Sequence, residues 1–207
     1  MPAGQLALRR DPPRQSVAST REQAAFYGDG FFHNNIFWNK EHTQRMMVSL
    51  HRKRFEQYGH GAADQAIVGL GGQVFMASTE AEAKRVFRPY FDNAPVYGHG
   101  PSLEEFSATT PLTVGTPEQV IERTLGFADY AGDYQRQLFL VDHAGLPLEQ
   151  IEILGREVVP VLRTEFERWR PAHVPSDPPT HASLVAEGPG SPHRLVAPAA
   201  TGAGVRE

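Results

Sequence analysis

The chain has 207 residues, 40% of them apolar, 10% aromatic and 21% charged, with a formal net charge of -4 and no cysteine. Without cysteine there is no disulfide framework, thiolate metal site or cysteine nucleophile. No apolar run is long enough to span a membrane, and the mildly acidic balance argues against nucleic-acid binding through bulk charge.

The opening segment, MPAGQLALRRDPPRQSVAST, lacks the apolar stretch of a secretory signal, so the cytoplasm is the expected compartment. Residues 1–15, with Arg9, Arg10, Pro12, Pro13 and Arg14, are expected to be a disordered N-terminal segment. From Pro171 to Glu207 there are seven Pro, seven Ala and four Gly among 37 residues, and no aromatic side chain. Such a stretch buries too little to offset its ordering entropy, so 171–207 reads as a disordered tail. Residues 16–170 remain to make the fold.

Helices and strands alternate there. Thr20 and Gln23 form a capping box over TREQAAFY, which Gly28 can end. GDGFFHNNIFW follows as an aromatic-rich strand. A helix then runs from His42 to Tyr58, with Met47, Leu50, Phe55 and Tyr58 near one face and Gly59 beyond its end. AIVGLGGQVFMA is apolar on both faces, the pattern of a buried parallel strand. Its Gly69, Gly71 and Gly72 point to close packing, since they fall inside the strand and not at a dinucleotide-binding turn.

Thr79 and Glu82 cap the next helix, which presents Ala83, Val86, Phe87 and Tyr90 and should end or kink near Arg88 because of Pro89. Phe91 to Pro111 reads as a long loop. Thr116, Pro117 and Gln119 start a well-capped helix with an apolar stripe through Val120, Ile121, Thr124, Leu125 and Ala128. QLFLVD is a short apolar strand. Ile151, Leu154, Val158, Leu162, Phe166 and Trp169 mark the closing helix.

Strands alternating with helices imply βαβ units and a parallel sheet with flanking helices, an α/β fold. A complete eight-stranded barrel takes about 250 residues. The expectation is therefore a partial (β/α)8 TIM-type barrel, equivalent to its C-terminal half.

Four segments carry a family resemblance: FYGDGFFHNNIFWNKEHTQRM, AIVGLGGQVFMASTEAEAKRVFRPYF, PLTVGTPEQVIERTLGF and QLFLVDHAGLPLEQIEILGREVVPVLR. A glycine-aspartate-glycine turn precedes a strand, and Ser78 to Ala83 open a helix after another. Val114 to Val120 form a "VGTPEQV" cap, and Gly145 to Glu149 lead into a helix containing Glu157 to Pro160. In this order and spacing they resemble the C-terminal part of the luciferase-like, flavin-dependent monooxygenases, over about Thr20 to Glu167.

That resemblance implies an α/β barrel in which reduced FMN, supplied by a separate flavin reductase, reacts with O₂ to oxygenate an organic substrate. FMN is favoured over a deazaflavin. The family's N-terminal half has no counterpart here, so the chain is expected to be truncated. The alternative is a non-catalytic barrel remnant that binds flavin weakly or self-associates, as a homodimer, through an open sheet edge. Neither nucleic acid nor membrane is an expected partner.

Ligands of parallel α/β folds sit at the carboxyl ends of the strands. His33, Asn34 and Asn35 fall there after the first strand, and Asp142 and His143 after the last. His33 is the candidate catalytic residue, since an imidazole with an ordinary value near 6.5 can move a proton near neutral pH. Asn34, Asn35 and His143 are candidate flavin-binding residues. The competing reading makes all four polar groups that satisfy loop backbone. His99 reads as a solvated loop residue. The histidines lack tight ligand spacing, so no metal site is expected. The basic run His51 to His60 reads as a solvated helix face, and the amides at Thr116 as capped.

Overall fold

The computed structural model describes residues 17–94, 100–141 and 148–170, all within the first of the chain's two compact units, Met1–Val174. The expectations for residues 1–15 and 171–207, and for His99, Asp142 and His143, lie outside the described residues.

Four strands make one sheet: β1 (Phe31–His33), β2 (Val68–Met76), β3 (Thr113–Gly115) and β4 (Arg136–Leu140). All nine residues of β2 are buried, as its apolar run requires. Each of the others pairs with it in parallel. Phe31 to His33 lie beside Val68 to Leu70, Arg136 to Leu140 beside Gly69 to Gln73, and Thr113 to Gly115 beside Val74 to Met76. A parallel sheet with flanking helices is therefore present, and Thr113–Gly115, expected as a turn ahead of the capped helix, is the strand β3.

The helices are α1 (Val17–Tyr27), α2 (Ser49–Gln57), α3 (Glu80–Asn93), α4 (Leu103–Thr109), α5 (Pro117–Leu125), α6 (Ala128–Ala131), α7 (Glu149–Ile153) and α8 (Val159–Arg168). π-helical stretches, His42–Val48 and Leu154–Val158, lead into α2 and α8. Several boundaries differ from expectation. Thr20 lies inside α1 and does not cap it, whereas Gly28 ends the helix as expected, with φ +77. A side chain there would also press on the His60 ring, whose Nδ1 would stand 2.7 Å from a Cβ.

The first strand is three residues long, because the chain turns at Asn35. The π-helical stretch spaces Thr43 and Val48 five residues apart on the inner face, followed by His51 and Phe55. Met47, Leu50 and Tyr58 are consequently less buried than a regular helix would make them.

Pro89 does not end α3. Phe87 and Phe91, both buried, anchor the helix on either side of it, and Asn93 Nδ2 donates to the Pro89 carbonyl at 2.7 Å. The segment read as a loop contains α4, whose capping box joins Ser102 and Glu105. Ser-x-x-Glu was legible there. In the closing helix Val158 and Leu162 are buried, but Ile151 is 53% exposed and Trp169 46%.

Paired residues of a parallel sheet share a face, which alternates along each strand. On one face Val68, Leu70, Val74 and Met76 pack against Val48, Phe127, Ala131, Val120, Val158 and Leu162 of the helical layer. On the other, α3 and α4 cover only the far end, where Phe75 and Val114 meet Phe87, Phe91, Leu103 and Phe106. The near end carries Phe32, Gly69, Gly71 and Leu138, with Phe32 43% and Leu138 52% exposed.

Where no strand continues beside β2, side-chain amides complete its ladder. Gln150 accepts from the Met76 N–H at 2.7 Å and donates to the Met76 carbonyl at 2.9 Å, and it is buried. Gln150→Leu strands both backbone groups and is expected to lower the unfolding free energy by about 2–3 kcal/mol. Urea denaturation measures this, and an unchanged midpoint would show the amide to be dispensable.

Candidate functional site

The residues singled out at the end of β1 separate according to the two-residue period of the strand. His33 shares the helix-side face with Phe31 and is buried. Its Nε2 lies 3.4 Å from Thr43 Oγ1, and its ring stacks on Phe31 with centroids 6.0 Å apart. Burial, with a smaller repulsion from His42, pulls its pKa down to about 4. It is a neutral, packed imidazole near pH 7. Asn34 is exposed on the side of the open face, and its Oδ1 would stand 3.4 Å from a Cβ built on Gly71.

Asn35 is fully buried. Its Oδ1 accepts from the Gly71 N–H at 2.6 Å, extending the β1–β2 ladder by one rung after the backbone turns away. Its Nδ2 has no partner of hydrogen-bond geometry, although the amide favours the ionised form of the nearby Tyr130 hydroxyl. Desolvation outweighs that effect and pushes Tyr130 up to about 12. Asn35 thus ties strand to strand and stands behind the open face. His143 lies outside the described residues.

Beyond Asn35 the chain presents Trp38, stacked on His42 with centroids 4.2 Å apart, and Lys40, 5.8 Å above the Tyr130 ring. Both line a shallow cleft with Thr110, Arg123, Phe127 and Tyr130, whose water-accessible volume is about 10 Å³. That is smaller than the roughly 300–1,000 Å³ of small-molecule sites. The Arg123 guanidinium is committed to the Ser107 and Thr110 carbonyls at the end of α4, each at 2.5 Å, so this cleft is a structural seam.

Of the basic run, Arg52 is only partly exposed and is committed to backbone carbonyls. It donates to the carbonyls of Ala131 (2.7 Å) and Asp133, closing the end of α6 beneath Gly132, which has φ +67. Phe32 and Leu138 lie outside the set of residues expected at the site. Their signal was their phase, since each falls between inward-facing neighbours in its strand.

A parallel sheet with flanking helices defines an α/β protein. The family-level comparison is specific: residues 15–134 match the luciferase-like monooxygenases, and the chain belongs to that family. Solved structures share the fold. The monooxygenase RslO1 from Streptomyces bottropensis superposes with a TM-score of 0.54 at 19% identity, over 70% of this chain and 45% of its own.

The oxygenating constituent of 3,6-diketocamphane monooxygenase from Pseudomonas putida, in complex with FMN, gives 0.55 at 20% identity, over 70% and 46%. Flavoprotein 390 gives 0.55 at 13%, over 74% and 66%. The chain thus spans about half to two thirds of the length of these structures. No curated protein matches it. Among the described residues no helix is long and apolar enough to cross a membrane, and no cluster of His, Asp and Glu could hold a metal ion.

Asn35→Leu removes the acceptor for the Gly71 N–H while nearly keeping the volume. It is expected to cost about 1–3 kcal/mol and to speed exchange of the Gly71 amide. Unaltered exchange there would show that the rung is not maintained by Asn35.

Proposed function

We propose that the chain forms one wall of a flavin pocket in a luciferase-like monooxygenase that oxygenates an organic substrate with reduced FMN and O₂. The observation that carries this reading is the pair of exposed apolar side chains at the end of β1, Phe32 and Leu138, which lie beside the buried Gly69 and Gly71, with exposed Asn34 at the rim. A planar cofactor needs a flat apolar wall with a few polar groups at its margin, and these residues fit one. Phe32 and Leu138 would hold the ring's apolar surface and exclude water, and the Asn34 amide would bond its polar edge.

The bound reduced flavin supplies the electrons that activate O₂. Asn35 keeps the wall in register through Gly71. His33 was the expected proton carrier; its burial on the helix side favours a role in positioning the strand end. His143, by its place after β4, remains the second strand-end candidate for the flavin. FMN is favoured over a deazaflavin in this reading, and the diketocamphane enzyme was crystallised with FMN. A separate reductase in the cytoplasm would deliver it reduced. The barrel would be completed by strands beyond the four described. The same exposed Phe32 and Leu138 favour one second reading, a self-associating homodimeric remnant without turnover.

Titration with FMN, oxidised and anaerobically reduced, is expected to perturb the visible flavin band with a Kd in the range of roughly tens of micromolar. Asn34→Leu should weaken binding about tenfold, the worth of one hydrogen bond. A flat titration in both redox states would sink the flavin reading. Dimers that bind no flavin would favour the second.

A further inference from the structure

Six rings run in contact through the layer between α1, α2 and β1. Trp38 stacks on His42, and His42 lies 6.3 Å from His33. The line then passes through Phe31 to His51 at 5.2 Å and on to Phe55 at 6.3 Å. Two of the three imidazoles are buried. His51 is completely so, at 0% exposure, and neither of its ring nitrogens has a partner of hydrogen-bond geometry.

Among the described residues, the side chains facing His51 are cationic or apolar. Arg21 of α1, whose guanidinium is bonded to the Met46 carbonyl, approaches from one side, and Arg52 of its own helix from another. Phe31 of β1 and Phe55 complete the packing. The backbone of Arg21 and Ile67 favours the protonated ring, but desolvation and the two arginines oppose it more strongly. The nearest described carboxylate of α1, Glu22, is spent on Arg54 and Tyr58. His33 faces Thr43 and His42, again without a carboxylate.

We propose that His51, seconded by His33, is an acid latch: protonation releases the α1–α2 layer from β1 while the remainder of the sheet and its helices stay folded. This goes beyond the flavin reading and is independent of it. The layer suits such a role because ring contacts join it to β1 and its inner helix begins with a π-helical stretch; Arg21 ties α1 to that stretch, while Val48 and Arg52 join it to β2 and the end of α6. In the closed state both imidazoles are held down to about 4 by burial. When the layer opens they regain an ordinary value near 6.5. The open state then binds more protons, so the closed state is favoured above about pH 6.5 and loses ground as pH falls toward 4.

Hydrogen exchange on the whole chain, corrected for intrinsic rates, tests this. Between pH 7.5 and 5 the opening of residues 42–57 is expected to rise by about thirtyfold for each imidazole that is released, while α5 and α8 keep their protection. His51→Phe should remove about thirtyfold of that rise. Should the variant fail to fold, the His51 ring resonance in the unaltered protein decides. It is expected to stay neutral until the layer opens. A rise below tenfold, an equal rise in α5 and α8, a His51→Phe profile matching the parent, or free titration of His51 near 6.5 with unchanged exchange overturns the latch.

Discussion

A strand buried along its whole length must have its backbone groups paired along its whole length, and β2 meets that demand with partners shorter than itself. β1, β3 and β4 each cover a part. Side-chain carboxamides cover positions where the ladders stop. Gln135 accepts from the Val68 N–H at 2.8 Å, Asn35 from that of Gly71, and Gln150 from that of Met76. An unpaired buried amide costs as much as the rest of a modest interaction is worth, so these three residues bind distant parts of the chain to one strand. The glycines belong to the same arrangement. A Cβ on Gly69 would stand 2.9 Å from the Phe32 ring, and Gly71 leaves room for the amides of Asn34 and Asn35.

The functional asymmetry follows from how β2 is covered. Its helix-side face is closed by aliphatic and aromatic side chains from five segments. Its opposite face is covered by α3 and α4 only beyond Gln73; beside β1 and β4 the exposed groups are Phe32 and Leu138. The chemistry expected at one point in the sequence is thereby divided. His33 and Asn34 are neighbours in the chain, yet one is a neutral ring in the packed layer and the other a free amide at the rim. Strand alternation separates them, and no property of the two residues by themselves could.

Much of the architecture was legible where local signals agree. The apolar run of β2, the capping box at Thr116 and Gln119, and the strand QLFLVD were each read in the right place, and the parallel sheet followed from their alternation with helices. The errors share a cause. Pro89 breaks a helix locally, but Phe87 and Phe91 gain enough burial to carry the chain past it. Thr20 has the right partner for a cap, but α1 begins earlier. At Ser102 and Glu105 the signal was present, and the surrounding Gly, Pro and Asn obscured it.

The sequence by itself determined most of the longer elements and the parallel character of the sheet, because periodicity, caps and turn residues act over a few neighbouring positions, and the resemblance of four ordered segments determined the family. The tertiary structure decided which polar residues stand at the exposed surface and which are absorbed into packing. Asn35, Gln135 and Gln150 look alike in composition to any surface amide, and Arg52 to any solvated cation. They become structural because β2 and α6 expose backbone groups to them across separations of 36 to 79 residues. Contacts over that range depend on where whole strands and helices come to rest, which a local pattern of residues does not encode.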